Sequence, residues 1–186
     1  MPSTPDLTKL KLEPFCRDGQ TICVALNYAQ LPRLTESVVQ PDANARFELT
    51  LQGSQSQRPG GLLQDELTLQ VSGSVQLTCQ RCLQPYAQAL HSRSRFVLVA
   101  SDEAADAMVA EVGSDEDDEI EPLVGGKPVD MLALAEDEML LALPLVPKHE
   151  VCPTADAGAA EAKNRAAELP SPFAALAALK KPGQSE

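Results

Sequence analysis

The sequence predicts an α+β fold: an antiparallel β-sheet or open barrel packed against a helix, with an acidic flexible loop and a loosely packed C-terminal helix. Three patterns predict it. Leu63–Cys79 alternates apolar and polar residues, the period of a half-buried strand. Asp130–Leu143 carries apolar residues at helical spacing between an Asp and two prolines. Between these two segments, residues 101–121 are rich in Ala, Asp and Glu. A chain of 186 residues fits one domain plus irregular segments. We expect a single α+β domain over 1–150, including an acidic loop at 101–121, and a flexible extension with a short helix over 151–186.

The elements follow in chain order. Residues 6–15 mix Leu7, Leu10, Leu12 and Phe15 with charges and read as a short edge strand. Thr21–Leu26 is β-branched and apolar, a strand. Leu31–Val39 reads as a short helix with Pro32 in its first turn, where a missing N–H costs little. Ala45–Leu51 alternates, with Phe47, Leu49 and Leu51 on one face and Arg46, Glu48 and Thr50 on the other. Gly53–Gly61 is polar, contains Gly and Pro, and reads as a loop.

In Leu63–Cys79 the odd positions Leu67, Leu69, Val71, Val75, Leu77 and Cys79 share the apolar face, and Gly73 marks a bulge or bend. Gln80–Pro85 turns the chain and Tyr86–Val99 returns as a strand, giving a meander of three or four antiparallel strands. Residues 101–121 read as a mobile loop, because like charges and few apolar groups leave nothing to offset the ordering entropy. Asp130 caps the next helix, whose apolar face is Leu132, Ala135, Met139 and Leu143, and Pro144 and Pro147 end the segment. Ala155–Leu169 is weakly helical. Ser171 and Pro172 open a last short helix, Phe173–Lys181.

Charge is segmented. Residues 1–100 carry nine Lys/Arg against eight Asp/Glu, whereas residues 101–150 carry two against fifteen, so this segment alone accounts for the net charge of −12. The first hundred residues are therefore close to neutral, and no Lys/Arg-rich face announces a nucleic-acid site. Two Tyr, four Phe and no Trp argue against a base-stacking platform. No window approaches a transmembrane span, the N-terminal residues lack an apolar signal core, and five cysteines at irregular spacing do not form a secreted disulfide scaffold. These readings predict a reduced, cytoplasmic protein with no membrane partner.

Cys79-Gln80-Arg81-Cys82 closes the long strand and has no matching second pair. It admits three chemistries. Cys79, Cys82, His149 and Cys152 make a Cys₃His ligand set for zinc if the downstream pair returns to the strand end. Otherwise Cys79 is a small buried apolar residue and the others are free thiols. A redox disulfide is the third reading, although a redox CxxC opens a helix in a βαβ setting and this pattern is antiparallel. Arg81, Arg93 and Arg95 lie on or beside one hairpin and are candidate RNA-phosphate contacts, or solubilising edge residues. Asp115, Glu116, Asp117, Asp118 and Glu119 are a candidate docking surface for a basic protein, or a solvated loop. Glu136, Asp137 and Glu138 read as solvent-facing charge. No Ser/His/Asp set, phosphate loop or HExxH is present, and with two His the catalytic inventory is poor.

Three stretches together resemble the large ribosomal RNA subunit accumulation protein family, YceD. They are Leu77-Thr78-Cys79-Gln80-Arg81-Cys82 with Pro85; Val129-Asp130-Met131-Leu132 through Ala135-Glu136-Asp137-Glu138 to Leu141-Ala142-Leu143-Pro144-Leu145-Val146-Pro147; and Ser171-Pro172-Phe173-Ala174 through Leu176 to Leu179-Lys180. The resemblance implies a cytosolic bacterial protein needed for normal synthesis, processing or stability of 23S rRNA, with no known enzymatic activity. It also implies a second Cys pair after the LPxVP element, where this sequence has His149 and a lone Cys152. The reading is a ribosome-biogenesis factor acting through precursor 23S rRNA, a large-subunit ribosomal protein, or both. The rival is a zinc-binding or thiol-redox protein.

Overall fold

The alternating face of the long strand organises the molecule. The computed structural model describes residues 6–57, 62–111 and 120–153. Its sheet has five strands in the order β1-β2-β3-β4-β5, with β1 at Thr21–Leu26, β2 at Phe47–Gln57, β3 at Leu63–Thr78, β4 at Pro85–Val99 and β5 at Ile120–Val124. The sheet is open, and β1 to β4 pair antiparallel. Leu67, Leu69, Val71, Val75 and Leu77 are all buried on one face. Leu51 lies opposite Leu69 and Leu49 opposite Val71. A slip of one residue would turn the whole set to solvent, so this face fixes the register.

Helices α1 (Leu12–Arg17), α2 (Pro32–Ser37), α3 (Asp102–Glu111) and α4 (Met131–Leu141) complete the α+β architecture. Helix α1 packs on β2 and β3, and α4 packs on β3, β4 and α2. The α4 start is well determined: the Asp130 carboxylate accepts from the Leu132 and Ala133 N–H groups, each at 3.0 Å.

Several sequence expectations are corrected. Residues 6–15 form a 3-10 turn (Leu7–Lys9) and α1, not an edge strand; Leu12, Phe15 and Cys16 are buried at helical spacing, and one bridge from Leu10 to Val129 is the whole of the strand pairing there. The strand β2 runs on to Gln57, through part of the expected loop. Gly53 serves close approach rather than a turn, since an added Cβ would sit 2.6 Å from the Phe15 carbonyl oxygen. Gly73 makes no bulge: the pairing to β4 runs straight through it, and the Phe47 ring lies against its Cα where a side chain would be.

The expected loop at 101–121 holds α3 and the start of β5. Its alanines favour helix, and Asp102 and Glu103 suit the positive end of the helix dipole. Helix α3 supplies the crossover that a parallel strand requires, so β5 joins parallel to β4 and the sheet is mixed. Pro122 is tolerated because β5 is an edge strand.

On α4 the buried stripe is Met131, Ala135 and Met139, whereas Leu132 is half-buried and Leu143 lies beyond the helix. Glu136 and Glu138 are buried, against the expectation of solvent-facing charge. Glu136 accepts from Arg33 Nε at 2.9 Å and from the Leu34 N–H at 3.0 Å, tying α4 to α2. Glu138 accepts from the Ser92 hydroxyl at 3.0 Å and from the Ser94 hydroxyl, tying α4 to the inner face of β4. Asp137 remains half-exposed and pairs with Arg33. The acidic residues Asp115–Glu119 and the expected C-terminal helix Phe173–Lys181 lie outside the described residues.

Candidate metal centre and outer sheet face

The strand β3 delivers Cys79 to the closed end of the β3–β4 hairpin. Cys79 ends the apolar phase of the strand and is fully buried. The following turn is tied by Leu83 N–H to the Cys79 carbonyl at 2.8 Å and by Cys79 N–H to the Gln84 carbonyl at 3.0 Å. Leu83 takes a left-handed backbone, φ 60°, a conformation costly for a side chain with a Cβ. Tight turning of this kind aims both thiols of the pair to one side.

The other half arrives from the end of α4. Pro144 and Pro147 prevent the helix from continuing, and residues 142–153 run back along the hairpin end. The Gln80 N–H donates to the Pro147 carbonyl at 2.8 Å, and the His149 N–H donates to Cys79 Sγ at 3.4 Å. The Tyr86 ring lies 5.0 Å from the imidazole of His149, centroid to centroid, and supports it.

Cys79, Cys82, His149 and Cys152 therefore meet, with their donor atoms all within 4.8 Å of one another. Cys79 Sγ is 3.7 Å from Cys152 Sγ, Cys82 Sγ is 3.4 Å from His149 Nδ1, and Cys152 Sγ is 3.9 Å from the same nitrogen. Zinc–sulfur bonds of about 2.3 Å and zinc–nitrogen bonds of about 2.0 Å, directed to tetrahedral corners, place neighbouring donors about 3.5–3.8 Å apart. Three donor pairs lie close to that spacing and the donor chemistry suits it, so the cluster can hold a metal ion. All five cysteines are free thiols.

The electrostatics favour thiolate at the buried sulfur. Burial alone raises the Cys79 pKa, but N–H groups of His149, Cys82 and Arg81 directed at the sulfur outweigh it and bring the pKa down to about 5. At Cys82 the Gln84 N–H acts downward, yet burial and the sulfurs of Cys152 and Cys79 prevail and the net shift is upward. Arg81 is held more firmly protonated than usual, first by its hydrogen bond to Cys152 and then by that sulfur's charge.

The three candidate RNA-binding arginines do not form one group. Arg81 Nε donates to Cys152 Sγ at 2.9 Å, so its head faces the cluster. Arg93 is eight residues along β4 from the hairpin end at Pro85, roughly 27 Å at about 3.4 Å per residue. Arg93 is exposed on the outer face of the sheet, in an open groove of about 480 Å³ that Glu48, Thr50, Gln70, Ser72 and His91 also line. Arg95, two residues on, shares that face, with a guanidinium nitrogen 3.8 Å from the Glu66 carboxylate. The buried Glu136 and Glu138 were missed as structural residues. For Glu138 a signal existed: Ser92 and Ser94 fall in the phase of Leu90 and Phe96, so two hydroxyls on an apolar face needed a polar partner.

The comparisons with known proteins agree with one another. The family model described as "Large ribosomal RNA subunit accumulation protein YceD" matches residues 67–180, from β3 past the whole cluster. A protein of that name from Haemophilus influenzae is 34% identical over 160 residues, covering 81% of this chain and 82% of its own length. No solved structure matches the chain. By the extent of both matches, the chain belongs to the YceD family of large ribosomal RNA subunit accumulation proteins.

Proposed function

We propose that this protein is a non-enzymatic, cytoplasmic factor that supports the accumulation of 23S rRNA during large-subunit assembly. The observation that carries the reading is family membership over most of the chain, together with the name borne by the matching relative. Direct contact with precursor rRNA is assigned to the outer face of β4, where Arg93 and Arg95 stand two residues apart beside the exposed His91. Phosphate contacts of this kind supply affinity and position rather than sequence choice. The acidic tract Asp115–Glu119 is assigned to a basic large-subunit ribosomal protein.

A clean deletion strain tests the function: mature 23S rRNA and large subunits should fall, and unchanged levels overturn the reading. Arg93→Gln with Arg95→Gln should weaken binding to a 23S rRNA transcript and flatten its salt dependence. Neutralising Asp115–Glu119 should spare RNA binding and weaken capture of the basic protein.

A second reading concerns the cluster, and the donor spacing favours it: Cys79, Cys82, His149 and Cys152 bind one zinc ion. With four protein donors and no open position, such a centre is structural rather than hydrolytic. It holds residues 142–153 to the hairpin. Metal analysis of the purified chain should give one zinc per molecule, and zinc removal should raise hydrogen exchange in residues 142–153 while the sheet stays protected.

A further inference from the structure

Arg81 sits inside the CxxC turn, where a side chain normally points to water, yet it is engaged on the opposite half of the cluster. Its Nε donates to Cys152 Sγ at 2.9 Å, and its Nη2 donates to the His149 carbonyl at 3.2 Å and the Glu150 carbonyl at 3.4 Å. One guanidinium thus holds one ligand sulfur, the backbone of the His149 ligand and that of its neighbour Glu150. Lysine cannot do this, because a point charge on a flexible stem lacks the planar fork.

The charge count gives the contact a purpose. Three thiolates and a neutral imidazole around Zn²⁺ leave one excess negative charge. Cys79 is fully buried and Cys152 is 4% exposed, so that charge is poorly placed to be relieved by water. A guanidinium against Cys152 cancels it. Groups just outside the ligand shell act in this way on metal affinity, by orienting donors and balancing their charge.

We propose that Arg81 is the fifth, non-coordinating member of a closed zinc centre: it neutralises the surplus thiolate charge and clamps the His149–Cys152 half against the Cys79–Cys82 half, and it is a positioning residue rather than an RNA contact. This rests on the zinc reading above. It also divides the hairpin into two working parts, a metal-held end and an RNA-facing strand about eight residues away.

The experiment compares the full chain with Arg81→Gln, Arg81→Lys and Arg93→Gln. Each protein is loaded with Zn²⁺ and titrated with a chromophoric chelator, and Co²⁺ spectra report thiolate coordination. Each is also titrated with a 23S rRNA transcript at several salt concentrations. Arg81→Gln should weaken zinc binding by roughly 10–100-fold. Arg81→Lys should fall between it and the unaltered chain, since charge is kept and the fork lost. RNA affinity and salt slope should be unchanged by Arg81→Gln and reduced by Arg93→Gln. If Arg81→Gln binds zinc as tightly as the unaltered chain, or lowers the RNA salt slope instead, the role assigned to Arg81 is overturned while the zinc centre stands. An unaltered chain that takes up neither Zn²⁺ nor Co²⁺ overturns the zinc centre and the role of Arg81 with it. Because Arg81→Lys retains the charge, misfolding of the glutamine variant does not remove the test.

Discussion

The middle of the sheet and the closed end of the β3–β4 hairpin are held by different physics. In the middle, Phe47, Leu49, Leu51, Leu67 and Leu69 are wholly buried, and stability comes from apolar area that many side chains of similar size could supply. At the hairpin end Leu83 is 74%, Leu145 97% and Val151 82% exposed, so apolar burial gives little there. What joins residues 142–153 to the hairpin is a set of sulfur, imidazole, guanidinium and backbone contacts in which each partner is specific. Substitutions in the first region should therefore move global stability, and substitutions in the second should move metal affinity and local order.

The largest expected effect breaks the apolar region. Phe47→Ala should destabilise by about 3–5 kcal/mol in denaturant unfolding, because it empties a fully buried ring site that Tyr28 also contacts edge-on at 5.1 Å. Gly73→Ala should cost about 1–3 kcal/mol alone, since the new Cβ meets the Phe47 ring. In the Phe47→Ala background it should cost little. Additive effects in this double-mutant cycle would show that the ring is not what reserves position 73 for glycine.

The same contrast decides what the sequence reveals. The odd-numbered face of β3 is legible because period two is a property of the chain itself, and the burial of Leu67 through Leu77 follows directly. The Cys₃His set is legible because its residue types are rare and its CxxC spacing is specific. The ties of α4 are not, since Glu136 finds Arg33 more than a hundred residues away and nothing local marks it as buried. The helix α3 and strand β5 were hidden by charge: acids that suggest disorder when counted are favourable when they occupy the first turn of a helix. Residues 6–15 were misread in period, with Leu12, Phe15 and Cys16 following a helix rather than a strand.

A second prediction converts one kind of region into the other. Glu138→Ala should cost about 1–3 kcal/mol, as it leaves the Ser92 and Ser94 hydroxyls without their acceptor beneath α4. Glu138→Leu combined with Ser92→Ala and Ser94→Ala should recover most of that loss, because both sides of the polar contact are then replaced. Urea unfolding of the unaltered chain and the two variants checks this, and a triple variant no better than Glu138→Ala would mean that the carboxylate acts on more than these two hydroxyls.

A third prediction uses pH to separate the buried thiol of Cys16 from the exposed thiol of Cys23. Burial, followed by the charge of Asp65, raises the Cys16 pKa to about 11. The unfolded thiol ionises near 9, so the unfolded state loses its proton first. The Cys16 contribution is fully present below that pH, declines as pH rises, and levels off above the folded value. The expected slope is below about 1.4 kcal/mol per pH unit, because at most one proton is involved. Cys16→Ala should remove this part of the alkaline decline, whereas Cys23→Ala, at an exposed site, should leave it intact. An identical decline in both variants would locate the alkaline sensitivity elsewhere.

The smallest expected effect tests whether the two regions are energetically separate. Asp130 caps α4 at the end opposite the cysteines, with one carboxylate oxygen accepting two N–H groups. Asp130→Ala should cost about 1 kcal/mol, and Asp130→Asn much less, since Asn caps nearly as well and only the charge at the helix dipole is lost. Helix α4 is anchored independently by Met131, Ala135 and Met139 in the core and by Glu136 and Glu138 on α2 and β4. A weaker cap should therefore lower the unfolding free energy without changing zinc affinity at Cys79, Cys82, His149 and Cys152. If Asp130→Ala weakens zinc binding in proportion to its loss of stability, α4 transmits its first turn to residues 142–153, and the cysteine-bearing end of the hairpin is one cooperative unit with the sheet rather than a locally closed clasp.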